Sequence, residues 1–240
     1  MTMITPLTTT KHLQLRVKES SDYRKFAAEN LVPIVVQEFT TLATEFPLVY
    51  VKNTETGQFM PVALMGIKNG LNLYCQSAQW NATVTPLGFR SAPFSFVKTA
   101  KENDELMLCV DEDSTLISSE QGTRLFDDQG NQSDYLKMRA EALLDIASFN
   151  QQTKDITALF VEMQLLLPQQ LTVKLGSNEP KMNIDGVYVI DEKRLNELSQ
   201  DDFMSLKSKG LLPIIYAHRI SLQQIAKLIF KQNEFDNQPK

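Results

Sequence analysis

Apolar and polar residues alternate along much of the N-terminal half of the chain, a pattern that is typical of strands. Three such runs follow one another after residue 46: PLVYVK, FMPVALMGIK and LNLYCQ. A turn containing Gly57 separates the first two, and Asn69-Gly70 separates the second from the third. Asn-Gly is a strong hairpin signal, because both residues tolerate the positive φ of a type I′ turn. We therefore predict an antiparallel meander here.

Shorter segments around the meander show either strand alternation or apolar residues at helical spacing. Residues 12–17 alternate like a strand, and Pro33 predicts an edge position for the run LVPIVV, because proline has no N–H to donate to a neighbour. Apolar residues at helical spacing predict a helix over Gln37–Phe46. After the meander we predict two strands on either side of a polar turn, FSFVKT and LMLCVDED.

The apolar spacing becomes helical between residues 133 and 168. Ser133 is a good N-cap for a helix running to about Phe149, and a second helix is predicted over Asp155–Leu167, with Pro168 ending it. The two helices would form a hairpin. The runs LTVKL and IDGVYVID then return to strand spacing, with a turn or bulge at Asp185-Gly186.

The C-terminal part is predicted to combine short helices with one strand. Asp191 caps a first helix, and Ser199 or Asp201 caps a second, which Gly210 closes. The apolar run LLPIIYAHRI is predicted as a strand, followed by a helix, LQQIAKLIF, with Ser221 as its cap.

These elements together predict an α+β fold. It consists of a mostly antiparallel meander in the N-terminal half, an inserted helical hairpin over 133–168 and a C-terminal strand-helix unit. No repeat or Gly/Ser linker divides the chain, so we expect a single domain over 1–240, flexible at 1–11 and 234–240.

Composition narrows the class of protein. The 240 residues are 42% apolar and 22% charged, as in ordinary globular proteins, and the net charge of -5 argues against binding nucleic acid or an anionic membrane surface. No segment has the apolar length of a membrane helix or the features of a signal peptide, so a cytoplasmic location is expected. Cys75 and Cys109 fit buried thiols in a reducing compartment.

The stretch 72–96, NLYCQSAQWNATVTPLGFRSAPFSF, differs from the rest of the chain because it is aromatic, rich in turn residues and carries a single charge. It could be a buried connection between strands or the wall of a pocket. Arg90 could stack on a neighbouring ring and offer its planar fork to a carboxylate or phosphate ligand, or it could pair with an acid of the chain such as Asp111 or Asp127. The candidate ligand-binding residues are Trp80, Phe89, Arg90, Phe94 and His218.

Other clusters give weaker indications of chemistry. Asp111–Asp113 with Asp127 and Asp128 could gather a hard cation, but they lack calcium-loop spacing and fit a solvated strand end and a turn. His218 lies near Ser221, but no G-x-S-x-G turn accompanies them, so a structural histidine is favoured. Phosphate-binding glycine loops are missing. We expect no metal, no cofactor and no catalytic residue.

The order of several blocks carries a family resemblance. LVPIVVQEFTTLATEFPLVYVK is followed by PVALMGIKNGLNLY, Trp80, PLGFRSAPF, LCVDEDS and finally GLLPIIYAHRISLQQI. Over roughly Phe26–Leu228 the chain resembles the SapC family, named after a bacterial surface-layer gene cluster. The family usually has P-x-x-x-R-R-Y-P-F after the tryptophan, whereas here Arg90 is kept and Ser91-Ala92 replaces the bulkier pair.

The resemblance implies a soluble bacterial protein of accessory function. Members are often encoded beside outer-membrane TonB-dependent receptors, halogenase-like proteins and cupin-like oxygenases. Our first hypothesis is therefore a non-enzymatic cytoplasmic binding or adaptor protein, accessory to nutrient uptake or to handling an amino-acid- or peptide-like molecule. Its ligand would be a small acid or a peptide.

Two alternatives remain open. The chain could be an enzyme or enzyme subunit that acts on a small molecule or peptide together with a halogenase-like or cupin-like neighbour, with His218 or the acidic cluster as base. It could also be an interaction protein that works as a homodimer or as the partner of a neighbouring gene product.

Overall fold

The computed structural model describes residues 4–20, 22–98, 106–174 and 181–237. The strands are β1 (Ile4–Pro6), β2 (Arg16–Val17), β3 (Leu31–Pro33), β4 (Leu48–Lys52), β5 (Phe59–Leu64), β6 (Phe94–Lys98), β7 (Leu106–Asp111), β8 (Ile117–Ser118), β9 (Thr123–Arg124), β10 (Leu166–Lys174) and β11 (Lys181–Ile190). The α-helices are α1 (Thr9–His12), α2 (Phe39–Leu42), α3 (Leu87–Arg90), α4 (Asp134–Glu162), α5 (Glu192–Asn196), α6 (Gln200–Ser208), α7 (Leu212–Ser221) and α8 (Ile225–Asp236). Short 3-10 helices cover Arg24–Phe26, Val36–Glu38 and Leu222–Gln224.

Helices and antiparallel sheets together confirm the α+β class. The chain divides into two compact units: the first contains residues 1–21 and 87–148, and the second contains residues 22–86 and 149–240. The single domain over 1–240 stays a prediction.

The first unit contains two small antiparallel sheets, with strand orders β1-β7-β6 and β8-β2-β9. Ile4 pairs with Asp111, so the segment 1–11 that was expected to be flexible contributes both β1 and α1. The predicted strand over 12–17 is shorter than expected, because His12 ends α1 and only Arg16–Val17 is extended. The core of this unit contains Val17, Phe94, Val110, Leu125, Phe126, Leu136 and Leu143.

The second unit contains a five-stranded antiparallel sheet in the order β10-β11-β4-β5-β3. Pro33 lies in the edge strand β3, as predicted, and Pro168 lies in the other edge strand, β10, where its missing N–H leaves no neighbour unsatisfied. The register shifts between Gln169 and Leu171, so that Asp185 and Gly186 oppose one residue of β10. This confirms the predicted bulge, and Gly186 takes the positive φ of +75° that the bulge requires.

The predicted meander is confirmed for its first two strands only. β4 and β5 form the expected hairpin around the turn that contains Gly57, whose φ is +71°. The third run, 71–76, is irregular instead of extended. The side chain of Asn72 accepts a hydrogen bond from the backbone N–H of Tyr74, and the backbone N–H of Asn72 donates to the carbonyl of Ala27. Local bonds of this kind compete with a strand ladder.

The predicted helical hairpin over 133–168 is wrong. α4 is one continuous helix of 29 residues, with the hydroxyl of Ser133 accepting the N–H of Leu136 as the predicted cap. Residues 150–154, NQQTK, are polar but contain neither Gly nor Pro, so nothing in them breaks a helix. The chain leaves the helix before Gln164, whose φ is +58°, and Pro168 belongs to the following strand.

The predicted C-terminal strand is also wrong. LLPIIYAHRI forms α7, with Pro213 in the first turn, where a missing N–H costs nothing. Ile215, His218 and Ser221 are buried at a spacing of three residues, so burial of one helical face outweighs the strand preference of the isoleucines. The predicted caps Asp191 and Ser199 are confirmed, but the predicted cap Ser221 is wrong, because Ser221 ends α7 and Gln224 precedes α8 without a side-chain cap. α8 extends through residues 234–236.

Candidate functional site

The residues expected to form one site fall in different units of the chain. Phe89, Arg90 and Phe94 belong to the first unit, on α3 and β6, whereas Trp80 and His218 belong to the second. Phe89 and Phe94 are core residues, 2% and 3% exposed.

Arg90 is exposed at the end of α3, and the contact expected of it is made by another arginine. The guanidinium of Arg139, on α4, lies 5.9 Å from the ring centroid of Phe94. Its Nη2 donates to the carbonyl oxygens of Arg90, Ser91 and Ala92 at 2.5, 3.2 and 2.9 Å. The sequence signal for Arg139 is its helical position, three residues after the buried Leu136 and four before Leu143.

The ion pair considered for Arg90 does not form within the described parts of the chain. The carboxylate of Asp127 accepts the backbone N–H groups of Gln129 and Asn131 in a tight turn. These bonds and that of the Asn131 amide lower the pKa of Asp127. Asp111 accepts the N–H of Asp113 in the same local manner.

Glu112 is the most engaged carboxylate of the acidic cluster. It accepts hydrogen bonds from the hydroxyl of Thr5, from Lys11 Nζ at 2.5 Å and from His12 Nε2 at 3.0 Å. These donors hold the pKa of Glu112 down at about 2. Among the residues that the structure describes, no group of three or more His, Cys, Asp or Glu side chains could hold a metal ion.

His218 lies in the interior of the second unit, with its ring centroid 5.5 Å from that of Tyr50. Burial lowers the pKa of His218 to about 3, so the ring is neutral at ordinary pH. The hydroxyl of Ser221 donates to the carbonyl of His218 and accepts the N–H of Leu48 at 2.9 Å. Backbone groups therefore use the serine hydroxyl, and within the described residues neither ring nitrogen of His218 has a hydrogen-bond partner.

Trp80 belongs to an aromatic cluster of the second unit. Its ring centroid lies 5.3 Å from that of Tyr23, 6.1 Å from that of Tyr74 and 6.4 Å from that of Phe46. The indole Nε1 donates to the carbonyl of Val84 at 3.0 Å, which satisfies the polar edge of this half-buried side chain. Trp80 thus fixes the loop that contains it.

A buried carboxylate lies next to this loop. Glu45 is 4% exposed, and its Oε1 is 2.5 Å from Lys227 Nζ on α8, while its Oε2 accepts the hydroxyl of Thr83 at 2.9 Å. Both carboxylate oxygens therefore have a donor. The pKa of Tyr74 is raised, first by burial and then by the negative charge of Glu45.

Residues 73–81 and α8 line an open cavity of about 190 Å³. Leu73, Tyr74, Gln76, Ser77, Asn81, Lys231, Glu234 and Phe235 line it.

Lys231 is the cation of this cavity. Its Nζ lies 4.7 Å from the ring centroid of Tyr74 and 3.4 Å from the carbonyl oxygen of Asn81. Burial and, to a lesser extent, the charge of Lys227 lower the pKa of Lys231, and the carboxylates of Glu45 and Glu234 act in the opposite direction. Within the described residues Lys231 has no ion-pair partner, and the buried hydroxyl of Tyr74 has no hydrogen-bond partner.

The arrangement can hold a small molecule by three kinds of contact: an ammonium donor, an aromatic floor and a carboxylate at the rim. Sequence reasoning singled out the stretch that supplies Tyr74 but missed Lys231 and Glu234. The available signal was the spacing of Lys227, Lys231 and Phe235, which places the three on one face of a helix.

In the described parts of the chain, no helix combines the length and the apolar character that crossing a bilayer requires.

Comparisons with known proteins agree with the block order of the sequence. Searches of curated proteins and of solved structures give no match. The model of the SapC family matches residues 7–228, which is nearly the whole chain and slightly more than the blocks indicate. The chain belongs to the SapC family.

Proposed function

We propose that this chain is a non-enzymatic binding or adaptor protein of the cytoplasm that holds a small amino-acid- or peptide-like acid in the cavity beside Trp80. Such a role is accessory to outer-membrane nutrient uptake or to handling an imported or secreted molecule. The observation that carries the proposal is Lys231, a partly buried ammonium group that faces a cavity without a carboxylate partner in the described residues.

An anionic ligand would give Lys231 a partner for its charge. Its Nζ lies over the Tyr74 ring and makes no ion pair within the described residues, so a ligand carboxylate within reach would gain a charge-assisted hydrogen bond. Lys227 is less available, because Glu45 already pairs with it.

The surroundings of His218 and of Glu112, the most engaged member of the acidic cluster, favour binding over catalysis. His218 is fully buried and neutral, and Glu112 accepts three donors from its own unit. A general base must be within hydrogen-bond reach of the proton that it removes, and neither side chain is free to approach a substrate in this structure.

Isothermal titration calorimetry tests the proposal directly. The titrants are small carboxylic acids, free L-amino acids and dipeptides, and we expect binding by at least one class. Lys231→Met should weaken that binding at least tenfold, because a charge-assisted hydrogen bond contributes about 1.5–3 kcal/mol. Ser77→Trp, which introduces a bulky side chain at the cavity wall, should weaken it as well.

Lys207→Met is the matched control, because Lys207 is an exposed lysine on α6 that does not line the cavity. Circular dichroism of each variant verifies that it is folded. Failure of all three titrant classes to bind, or equal affinity in the parent and in Lys231→Met, would overturn the proposal.

A further inference from the structure

The cavity is lined by two opposite charges that do not pair with each other. Lys231 and Glu234 both lie in its wall, three residues apart on α8. Residues at this spacing are neighbours on a helix surface and form ion pairs readily. Yet no ion pair within the described residues joins Lys231 to Glu234, and the nearest polar contact of the lysine is the carbonyl of Asn81.

We infer that the cavity recognises an α-amino-acid zwitterion, with Lys231 holding the carboxylate, Glu234 holding the ammonium group and the side chain lying against Phe235. This inference rests on the proposed function and makes it more specific, since it names which acids bind and why.

The charge arrangement selects against molecules that carry only one of the two charges. A simple carboxylate on Lys231 would lie near the like charge of Glu234, whereas a simple amine on Glu234 would lie near Lys231. Like charges at short range disfavour binding, and opposite charges favour it. A molecule that carries both charges a few ångströms apart satisfies both side chains at once.

The remaining walls indicate the kind of side chain. Phe235 is the half-buried apolar residue of the wall, whereas Tyr74 and Leu73 are only 1% and 7% exposed. The cavity volume is about 190 Å³. A free amino acid with an aliphatic or aromatic side chain fits such a space. A long peptide would extend out of it.

The experiment uses two amino acids and their analogues with single charges. The probes are L-leucine with 4-methylpentanoate and L-leucinamide, and L-phenylalanine with 3-phenylpropanoate and L-phenylalaninamide. Each acid lacks only the ammonium group, and each amide lacks only the carboxylate. Calorimetry should show at least one amino acid binding at least tenfold more tightly than both of its analogues.

Variants assign each charge to its residue. Glu234→Gln should reduce the affinity for the amino acid about tenfold while leaving the affinity for the corresponding acid unchanged or increased. Lys231→Met should weaken both. Glu141→Gln, at an exposed position on α4, is the matched control and should leave every affinity unchanged.

The outcomes separate this inference from the proposed function. Equal or tighter binding of 4-methylpentanoate or 3-phenylpropanoate, lost in Lys231→Met, would overturn the zwitterion and keep a binding protein for small acids. An affinity for the amino acid that is unchanged in Glu234→Gln would also overturn it. No binding of any probe would overturn the inference, and the wider titration above then decides the proposed function.

Discussion

The guanidinium of Arg139 lies 5.9 Å from the ring centroid of Phe94 and donates to three consecutive carbonyl oxygens, those of residues 90–92. These carbonyls belong to the end of α3 and the turn after it, and that of Ser91 also accepts the backbone N–H of Phe94. One side chain of α4 therefore satisfies several polar groups of the PLGFRSAPF segment and covers a core ring.

Replacing Arg139 should destabilise the protein much more than replacing Arg90. We expect Arg139→Met to lower the free energy of unfolding by about 1–3 kcal/mol, because it removes the side-chain donor of the Arg90 and Ala92 carbonyls. Arg90→Met removes an exposed side chain and should change it by less than about 0.5 kcal/mol. Urea unfolding followed by circular dichroism measures both.

Arg139→Lys refines the comparison. A lysine keeps the charge but cannot present a planar fork, so it should recover only part of the loss. Equal stability of the Arg139→Met and Arg90→Met variants would contradict the role assigned to Arg139.

The contrast between the two arginines illustrates what sequence patterns could and could not establish. The pattern suggested that Arg90 could stack on a neighbouring aromatic ring, whereas the guanidinium over Phe94 in the structure belongs to Arg139. Arg139 is 45 residues beyond Phe94, and only the packing of α4 brings it there. Contacts between residues far apart in the chain produce no periodic pattern in the sequence.

Local signals were reliable where the chain's own neighbours decide the structure. The caps Ser133, Asp191 and Ser199 and the bulge at Gly186 all depend on bonds within a few residues, and each was predicted. LLPIIYAHRI was mispredicted because burial of a helical face, which is a tertiary effect, overrode the strand preference of its isoleucines.

For the same reason, only part of the lining of the candidate cavity could be predicted from the sequence. Tyr74 belongs to a stretch whose composition is unusual, whereas Lys231 and Glu234 belong to an ordinary amphipathic helix more than 150 residues later. Charged residues on such a helix are normally solvated, and only the cavity beside them distinguishes these two.

The free energy of unfolding should depend on pH through His218. The pKa of His218 is about 3 in the folded protein and 6.5 in the unfolded chain, so between these values the unfolded chain binds the additional proton. Stability is therefore fully present above pH 6.5 and is lost as the pH falls toward 3, with a slope of at most about 1.4 kcal/mol per pH unit.

Urea unfolding of the parent and of His218→Leu between pH 4 and 8 gives the free energy of unfolding of each as a function of pH. Carboxylates titrate in both proteins, so the difference between the two curves isolates the contribution of His218. The parent should have the steeper slope between about pH 4 and 6.5. Parallel stability curves would show that His218 does not stay neutral in the interior.

Cys75 should react slowly with thiol reagents while the protein is folded. The thiol is 1% exposed, and burial together with the charges of Glu29 and Asp22 raises the pKa of Cys75 to about 12. Because the thiolate is the reactive form, we expect labelling by iodoacetamide to be at least about tenfold slower than in urea. A Cys109→Ser background leaves Cys75 as the single thiol, and labelling at the unfolded rate would contradict its burial.

The ion pair between Glu45 and Lys227 should contribute to the stability of the protein, since the same carboxylate also accepts the hydroxyl of Thr83 and so ties α8 to the segment that follows Trp80. Lys227→Met leaves the buried Glu45 carboxylate without its cation, and we expect the free energy of unfolding to fall by about 1–3 kcal/mol. This is less than for a fully buried pair, because the side chain of Lys227 is 40% exposed. Adding Glu45→Gln removes the uncompensated charge and should restore part of that loss. A double-mutant cycle from urea unfolding measures the coupling, and strictly additive losses would contradict the pair.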